Sequence, residues 1–114
     1  MSDCIFCRIA AGRAAARVVL EDEAAVVFHD LHPQAPVHLL VIPRRHVVSV
    51  AEGTAEDREL FGHLLLLAAR AARLAGVADS GYRIVTNCGA NAGQSVFHLH
   101  LHILGGRAMR WPPG

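Results

Sequence analysis

His98, His100 and His102 occupy every second position of the run His98-Leu99-His100-Leu101-His102-Ile103. Successive side chains of a strand point to opposite faces. The spacing therefore predicts three imidazoles on one face, about 6.6 Å apart, with Leu99, Leu101 and Ile103 turned into a core. Such a row supports two chemistries. Imidazoles can hold a metal ion that activates water, or one imidazole can attack an electrophile while its neighbours handle protons. Immediately upstream lies Asn87-Cys88-Gly89-Ala90-Asn91-Ala92-Gly93-Gln94-Ser95, where glycines let backbone N–H groups approach a ligand and Gln94 and Ser95 add side-chain donors. This loop suits a phosphate. It lacks the Lys-Ser/Thr ending of a Walker loop and opens no helix, so it is neither a P-loop nor a dinucleotide fingerprint. Beside the histidines it reads as an oxyanion cradle next to a nucleophile.

Cys4-Ile5-Phe6-Cys7 is a second constellation. Two cysteines at this spacing are half of a metal site and need two further ligands. The chain has three cysteines, and in a reducing compartment Cys4 and Cys7 read as metal ligands or free thiols rather than as a disulfide. Cys88 reads as a small packed residue.

The remaining sequence must supply the frame. Asp3 to Ala11 carries Ile5, Phe6 and Ile9 at helical spacing, which predicts a short N-terminal helix. Val18 to Glu21 and Ala24 to His29 predict a hairpin around Asp22-Glu23, and His38 to Ile42 a buried strand ended by Pro43. A long helix is expected from Ala55 to Ala75, with Thr54 as N-cap, acids in the first turn, Arg70 and Arg73 near the end and Gly76 as the stop. Its inward stripe would be Leu60, Leu64, Leu67, Ala68, Ala71 and Ala75. Tyr82 to Asn87 and Val96 to Leu104 read as further strands, with Cys88 to Ser95 between them. Together these elements predict one α+β domain over residues 1–114, on an antiparallel sheet of about five strands. Leu64, Leu65, Leu66 and Leu67 in succession make the long helix apolar on more than one side, so a twofold copy is expected to cover it in a homodimer.

With Gln94-Ser95 before His98, His100 and His102, the stretch Asn87 to Leu104 resembles the signature of the histidine-triad (HIT) family. Phe28-His29-Asp30, Pro33-Gln34-Ala35-Pro36-Val37-His38 and Val41-Ile42-Pro43-Arg44-Arg45-His46 are similar to that family's earlier segments, and the likeness covers almost the whole chain. The ending Gly105-Gly106-Arg107-Ala108-Met109-Arg110-Trp111-Pro112-Pro113-Gly114 resembles the purine-nucleotide phosphoramidase (HINT) branch. The dinucleoside polyphosphate hydrolase and uridylyltransferase branches are less similar.

The resemblance implies a HIT-like fold whose sheet continues into that of a second copy. It also implies a hydrolase that cleaves the P–N bond of purine nucleoside 5'-phosphoramidates through a nucleotidyl-histidine intermediate. AMP, GMP and their phosphoramidates are the implied partners. His100 would be the nucleophile, held by the carbonyl of His98; His102 would donate to a phosphate oxygen, Ser95 would serve the leaving amine, and His38 would orient the triad. Asn87, Gly93 and Gln94 would belong to the phosphate loop. Asp30 would accept from the ribose hydroxyls, while Phe6, Ile9, Phe28, His29 and Leu31 would enclose the base. Likeness to the zinc-binding members adds His46 and His98 to Cys4 and Cys7 as ligands of a structural zinc, with no metal needed for catalysis. Trp111 and its prolines would shape the leaving-group side of a partner's pocket. A scaffold whose turnover is incidental, or a dinucleoside polyphosphate hydrolase, remains open from these residues alone.

Composition excludes other classes. With 11 Lys and Arg against 10 Asp and Glu, no broad field attracts duplex nucleic acid or an anionic membrane. The apolar stretch Leu60 to Leu74 is too short to span a bilayer and holds His63, Arg70 and Arg73. Met1 to Gly12 has no signal-peptide core, so a cytoplasmic location is expected.

Overall fold

Residues 4–114 are described by the computed structural model, and their strands follow from local signals. Asp22 makes the first reversal: its Oδ1 accepts the N–H groups of Ala24 and Ala25, each at 2.9 Å, and so folds β1 (Val18–Glu21) onto β2 (Ala25–His29). Next come β3 (Val37–Pro43), β4 (Tyr82–Val85) and β5 (Leu101–Gly105), which complete an antiparallel sheet in the order β1-β2-β3-β5-β4. The expected α+β fold on five strands is therefore present.

The two faces of the sheet have different tasks. On one, α2 (Arg58–Leu74) buries Leu64, Leu67, Ala68, Ala71 and Ala72 against Ala25, Val27, Leu39, Val41, Leu101 and Ile103. On the other, the short α1 (Ile5–Ala10) lays Phe6 and Ala10 on Val26, Phe28, Leu40 and Ile42. Strand alternation divides β2 and β3 between these clusters. His38 and His102 lie on the α1 face. Among the described residues no helix is long and apolar enough to cross a membrane.

Several boundaries differ from expectation, each for a physical reason. Asp3 of the expected first helix lies outside the described residues. Residues Ala55–Asp57 form a 3₁₀ turn, so α2 begins at Arg58. There the Asp57 carboxylate accepts the Thr54 N–H at 2.8 Å, while Thr54 Oγ1 accepts from Glu56 at 3.3 Å, a capping box that tightens the entry. Leu60 and Ala75 are only partly buried, and Ala72 completes the stripe instead.

The largest change concerns the histidine segment. Pairing in β5 starts at Leu101 rather than Val96, and β4 ends at Val85 rather than Asn87. Residues before Leu101 take partners from outside the ladder: the Leu99 N–H donates to the Val47 carbonyl at 2.6 Å and the Thr86 hydroxyl to the His100 carbonyl at 2.9 Å. Sidedness nevertheless persists, since Leu99, Leu101 and Ile103 all enter the α2 core. At the far end of β5 a Cβ on Gly105 would lie 2.9 Å from Val77, so only glycine lets the sheet meet that residue.

Leu64 is 1% exposed at the centre of this core. Its replacement, Leu64→Ala, is expected to lower the unfolding free energy by about 3 kcal/mol. Urea denaturation checks this, and a loss below about 1 kcal/mol would contradict the packing described.

Candidate active site

An apolar cleft of about 330 Å³ opens on the α1 face. Ile5, Phe6 and Ile9 of α1 form one wall, Phe28, His29, Asp30 and Leu31 another, and Ser95, His100 and His102 supply polar groups. Apolar walls with a few convergent polar groups suit a small organic ligand. A wider, open hollow of about 920 Å³ lies between the β1–β2 turn and the start of α2, where His63 Nε2 meets Asp22 Oδ2 at 2.6 Å. None of the three triad histidines lines it, so the smaller cleft is the candidate site.

Hydrogen bonds fix the tautomers of His38, His100 and His102. His100 donates from Nδ1 to the His98 carbonyl at 2.7 Å, which leaves Nε2 as the unprotonated nitrogen of a ring lining the cleft. The Gln34 N–H donates to His38 Nδ1 at 3.0 Å, so the neutral His38 ring carries its proton on Nε2. That nitrogen lies 2.9 Å from His102 Nδ1, which accepts. The remaining proton of His102 therefore sits on its Nε2. Asp30 Oδ2 is 3.4 Å from His38 Nε2, but burial outweighs this carboxylate and lowers the His38 pKa. The pair is thus a neutral imidazole beside a carboxylate. Because His38 Nε2 holds a proton, the grouping of Asp30, His38 and His102 is unsuited to a cation.

The phosphate loop differs from its expected role. Gly89 (φ +88°) and Gly93 (φ +85°) flank a 3₁₀ turn at Ala90–Ala92, conformations that favour glycine. Gln94 is buried: its Oε1 accepts the Gly89 N–H at 2.9 Å and its Nε2 donates to the carbonyls of Val48 and Val96. Its side chain staples the loop rather than facing a ligand. The Gly93 and Gln94 N–H groups are likewise engaged, with the carbonyls of Ala90 and Gly89. Asn87, Gly93 and Gln94 do not line the cleft, whereas Ser95 and Val96 do. Cys88 is exposed, contrary to the packed role expected of it.

His98 belongs to a different grouping. Its buried ring donates from Nε2 to the Pro43 carbonyl at 2.8 Å, freeing Nδ1. That atom lies 3.3 Å from Cys4 Sγ, 3.5 Å from Cys7 Sγ and 3.2 Å from His46 Nδ1, while Cys7 Sγ is 3.2 Å from His46 Nδ1. A tetrahedral ion at about 2.0–2.3 Å from its ligands separates them by about 3.3–3.8 Å, and this set is close to that. Donor types and the carbonyl behind His98 also fit a soft divalent ion. By contrast, His98, His100 and His102 do not converge: their nitrogens serve the sulfur cluster, a main-chain carbonyl and His38.

Sequence reasoning missed two main-chain partners, the Gln34 amide and the Pro43 carbonyl, and the Thr86 side-chain hydroxyl that donates to the His100 carbonyl. It also missed Ala15, Ala16 and Leu40 in the cleft wall. The tail lies against its own chain: Arg83 donates to the Arg110 carbonyl at 2.8 Å and stands 6.0 Å from the centre of the Trp111 ring.

Burial, with His100 and His38 beside it, pushes His102 from its ordinary 6.5 down to about 4. Burial lowers His38 and His98 too. The unfolded chain therefore takes up protons as pH falls through 6.5, while folded His102 stays neutral until about 4. The unfolded state binds more protons in that window, so stability must fall as pH drops across it. Asp57, held low by its hydrogen bond from Arg45, adds a loss that sets in as pH falls through the ordinary carboxylate range around 3.8 and continues below it. Urea midpoints measured between pH 7 and 4 check this, and a flat profile would contradict the neutral relay.

Comparison with known proteins agrees with this geometry. The HIT domain family model matches residues 11–109. An uncharacterized HIT-like protein of Synechocystis sp. is 49% identical over 112 residues, covering 98% of this chain and 97% of the relative. A HIT family hydrolase from Legionella pneumophila superposes with a TM-score of 0.96 at 46% identity, covering 98% of this chain and all of that one. A zinc-bound histidine triad family protein from Mycobacterium smegmatis has a TM-score of 0.78 at 35% identity, covering 93% of this chain and 76% of its own. With the match spanning nearly every residue and His100 and His102 standing at the cleft, the chain belongs to the HIT domain family.

Proposed function

We propose that this protein is a nucleotide-binding hydrolase of the phosphoramidase (HINT) type, cleaving the P–N bond of purine nucleoside 5'-phosphoramidates through a nucleotidyl-histidine intermediate on His100. The observation that carries the reading is the tautomer of His100: with Nδ1–H tied to the His98 carbonyl, Nε2 keeps its lone pair on a ring that lines the cleft. Covalent attack splits one difficult substitution into two easier ones. His100 Nε2 bonds to the α-phosphorus as the P–N bond breaks, and the leaving amine takes a proton with the help of the Ser95 hydroxyl. Water then releases the nucleotide and returns His100 to its starting state. His102 Nε2–H donates to a phosphate oxygen throughout, and the Ser95 backbone supplies a further donor.

Nucleoside binding falls to the cleft walls. Asp30 Oδ1 already accepts the His32 N–H at 2.8 Å, but a carboxylate retains further lone pairs for the ribose hydroxyls. Phe6, Ile9, Phe28 and Leu31 enclose the base. The Legionella structure being a HIT family hydrolase supports an enzyme over a passive binder. Cys4, Cys7, His46 and His98 would hold zinc, which when bound supplies a structural crosslink. The zinc-bound Mycobacterium relative supports that assignment.

A homodimer also belongs to this reading. β4 is an edge strand, and α2 leaves Leu65, Leu66 and Leu74 more than half exposed. Such a face favours a second copy over water. Sedimentation is expected to show a dimer at micromolar concentration, and a stable monomer would refute it.

His100→Asn is expected to abolish turnover of an adenosine phosphoramidate while AMP affinity stays within about tenfold, because the nucleophile acts on the transition state. Intact mass after brief mixing should show an AMP adduct on the wild-type chain only. A His100→Asn protein with substantial turnover would overturn the covalent mechanism.

A further inference from the structure

The sulfur–imidazole cluster and the nucleotide cleft share one element. Cys4 caps the start of α1 and Cys7 lies in its first turn, while Ile5, Phe6 and Ile9 of the same helix form a wall of the cleft. Phe6, between the two cysteines, packs edge-on against His100 with ring centres 5.1 Å apart and against His98 at 5.9 Å. Among the described residues, the side-chain polar ties between α1 and the rest of the chain are the two sulfurs at one end and Arg44 on the Ala10 carbonyl at the other. Release of the sulfur end would remove one of these two polar ties and leave that wall to its apolar packing.

The sulfurs are also placed to react with each other. Their Sγ atoms lie within 4.8 Å, the Cys7 N–H points to Cys4 Sγ at 3.3 Å, and both residues are only half-buried. Thiolates that are close together and open to solvent are targets for peroxides. We infer that Cys4 and Cys7 form an oxidation site, at which hydrogen peroxide converts the zinc-bound pair to a disulfide, releases the metal and weakens nucleotide binding. The inference rests on the zinc and nucleotide readings above. Two thiolates lose two electrons and form one S–S bond, while one peroxide gains those electrons and, with two protons, leaves as two waters. The disulfide sulfurs carry no charge to retain the ion, which departs. His98 Nδ1 then loses its partner, and α1 keeps a side-chain polar tie at one end only, with the packing of Phe6 and Ala10 left to hold the rest.

The test uses a Cys88→Ser chain, so that the thiol count reports on the pair alone; Cys88 is exposed and lies outside the cleft. Reduced protein is expected to hold one zinc per chain by elemental analysis and to bind AMP by calorimetry. Hydrogen peroxide should release that zinc to a chromogenic chelator, consume both thiols and lower the intact mass by two hydrogens. Peptide mapping should place the link between Cys4 and Cys7. The AMP dissociation constant should then rise by about fivefold or more, with the circular dichroism of the helices retained, and reductant plus zinc should reverse it. No zinc in the reduced chain, zinc kept after peroxide, or zinc lost with AMP affinity unchanged each overturns the inference. Loss of the helical signal on oxidation also overturns it, since general unfolding is not release of one wall. Failure of the reduced, zinc-loaded chain to bind AMP would instead overturn the nucleotide reading, and with it the effect on the cleft.

Discussion

The main chain and side chain of His98 serve two groupings at once. Its carbonyl accepts the Nδ1–H of His100, and its ring, tied to the Pro43 carbonyl, turns Nδ1 toward Cys4, Cys7 and His46. Movement of that backbone would free His100 to take either tautomer and would also disperse the sulfur cluster. Buried polar groups require partners, and His98, fully enclosed, has them at every polar atom of its ring. The segment before Leu101 leaves the sheet ladder for the same reason, because its carbonyls and N–H groups are engaged by the site and its supports.

Around this node the sheet divides labour. The α2 face holds the larger cluster of buried aliphatic side chains, whose burial stabilises the fold. The α1 face carries His38, His100 and His102 with aromatic and aliphatic walls. Strand alternation makes the division possible, since alternate residues of β3 and β5 supply opposite faces. A rigid two-sided sheet therefore holds the imidazoles, while a six-residue helix closes the cleft from outside.

What the sequence revealed follows this division. Alternation is a local property, so the sidedness of His98 to Ile103 was legible even though strand pairing ends at Leu101. Helix α2 was legible from its period, apart from its first turn, where the Thr54–Asp57 capping box imposes 3₁₀ geometry. Gln94 was misread because an amide is equally able to staple a loop and to meet a phosphate, and only the fold brings Val48 beside it. The Gln34 amide and Pro43 carbonyl carried no signal at all, since nearly every residue possesses such groups. His46 was legible by family likeness alone, its distance in the chain from Cys7 giving no geometric hint.

The hydrogen bond from Gln34 to His38 has one further consequence. A peptide N–H does not surrender its proton near neutrality, so the line of donors running from Gln34 through His38 to His102 is closed at its inner end. It orients charge without conducting it. Any proton exchanged with a molecule bound in the cleft must travel by its mouth, through solvent or the exposed Ser95, and the interior works as a fixed polarity rather than as a wire.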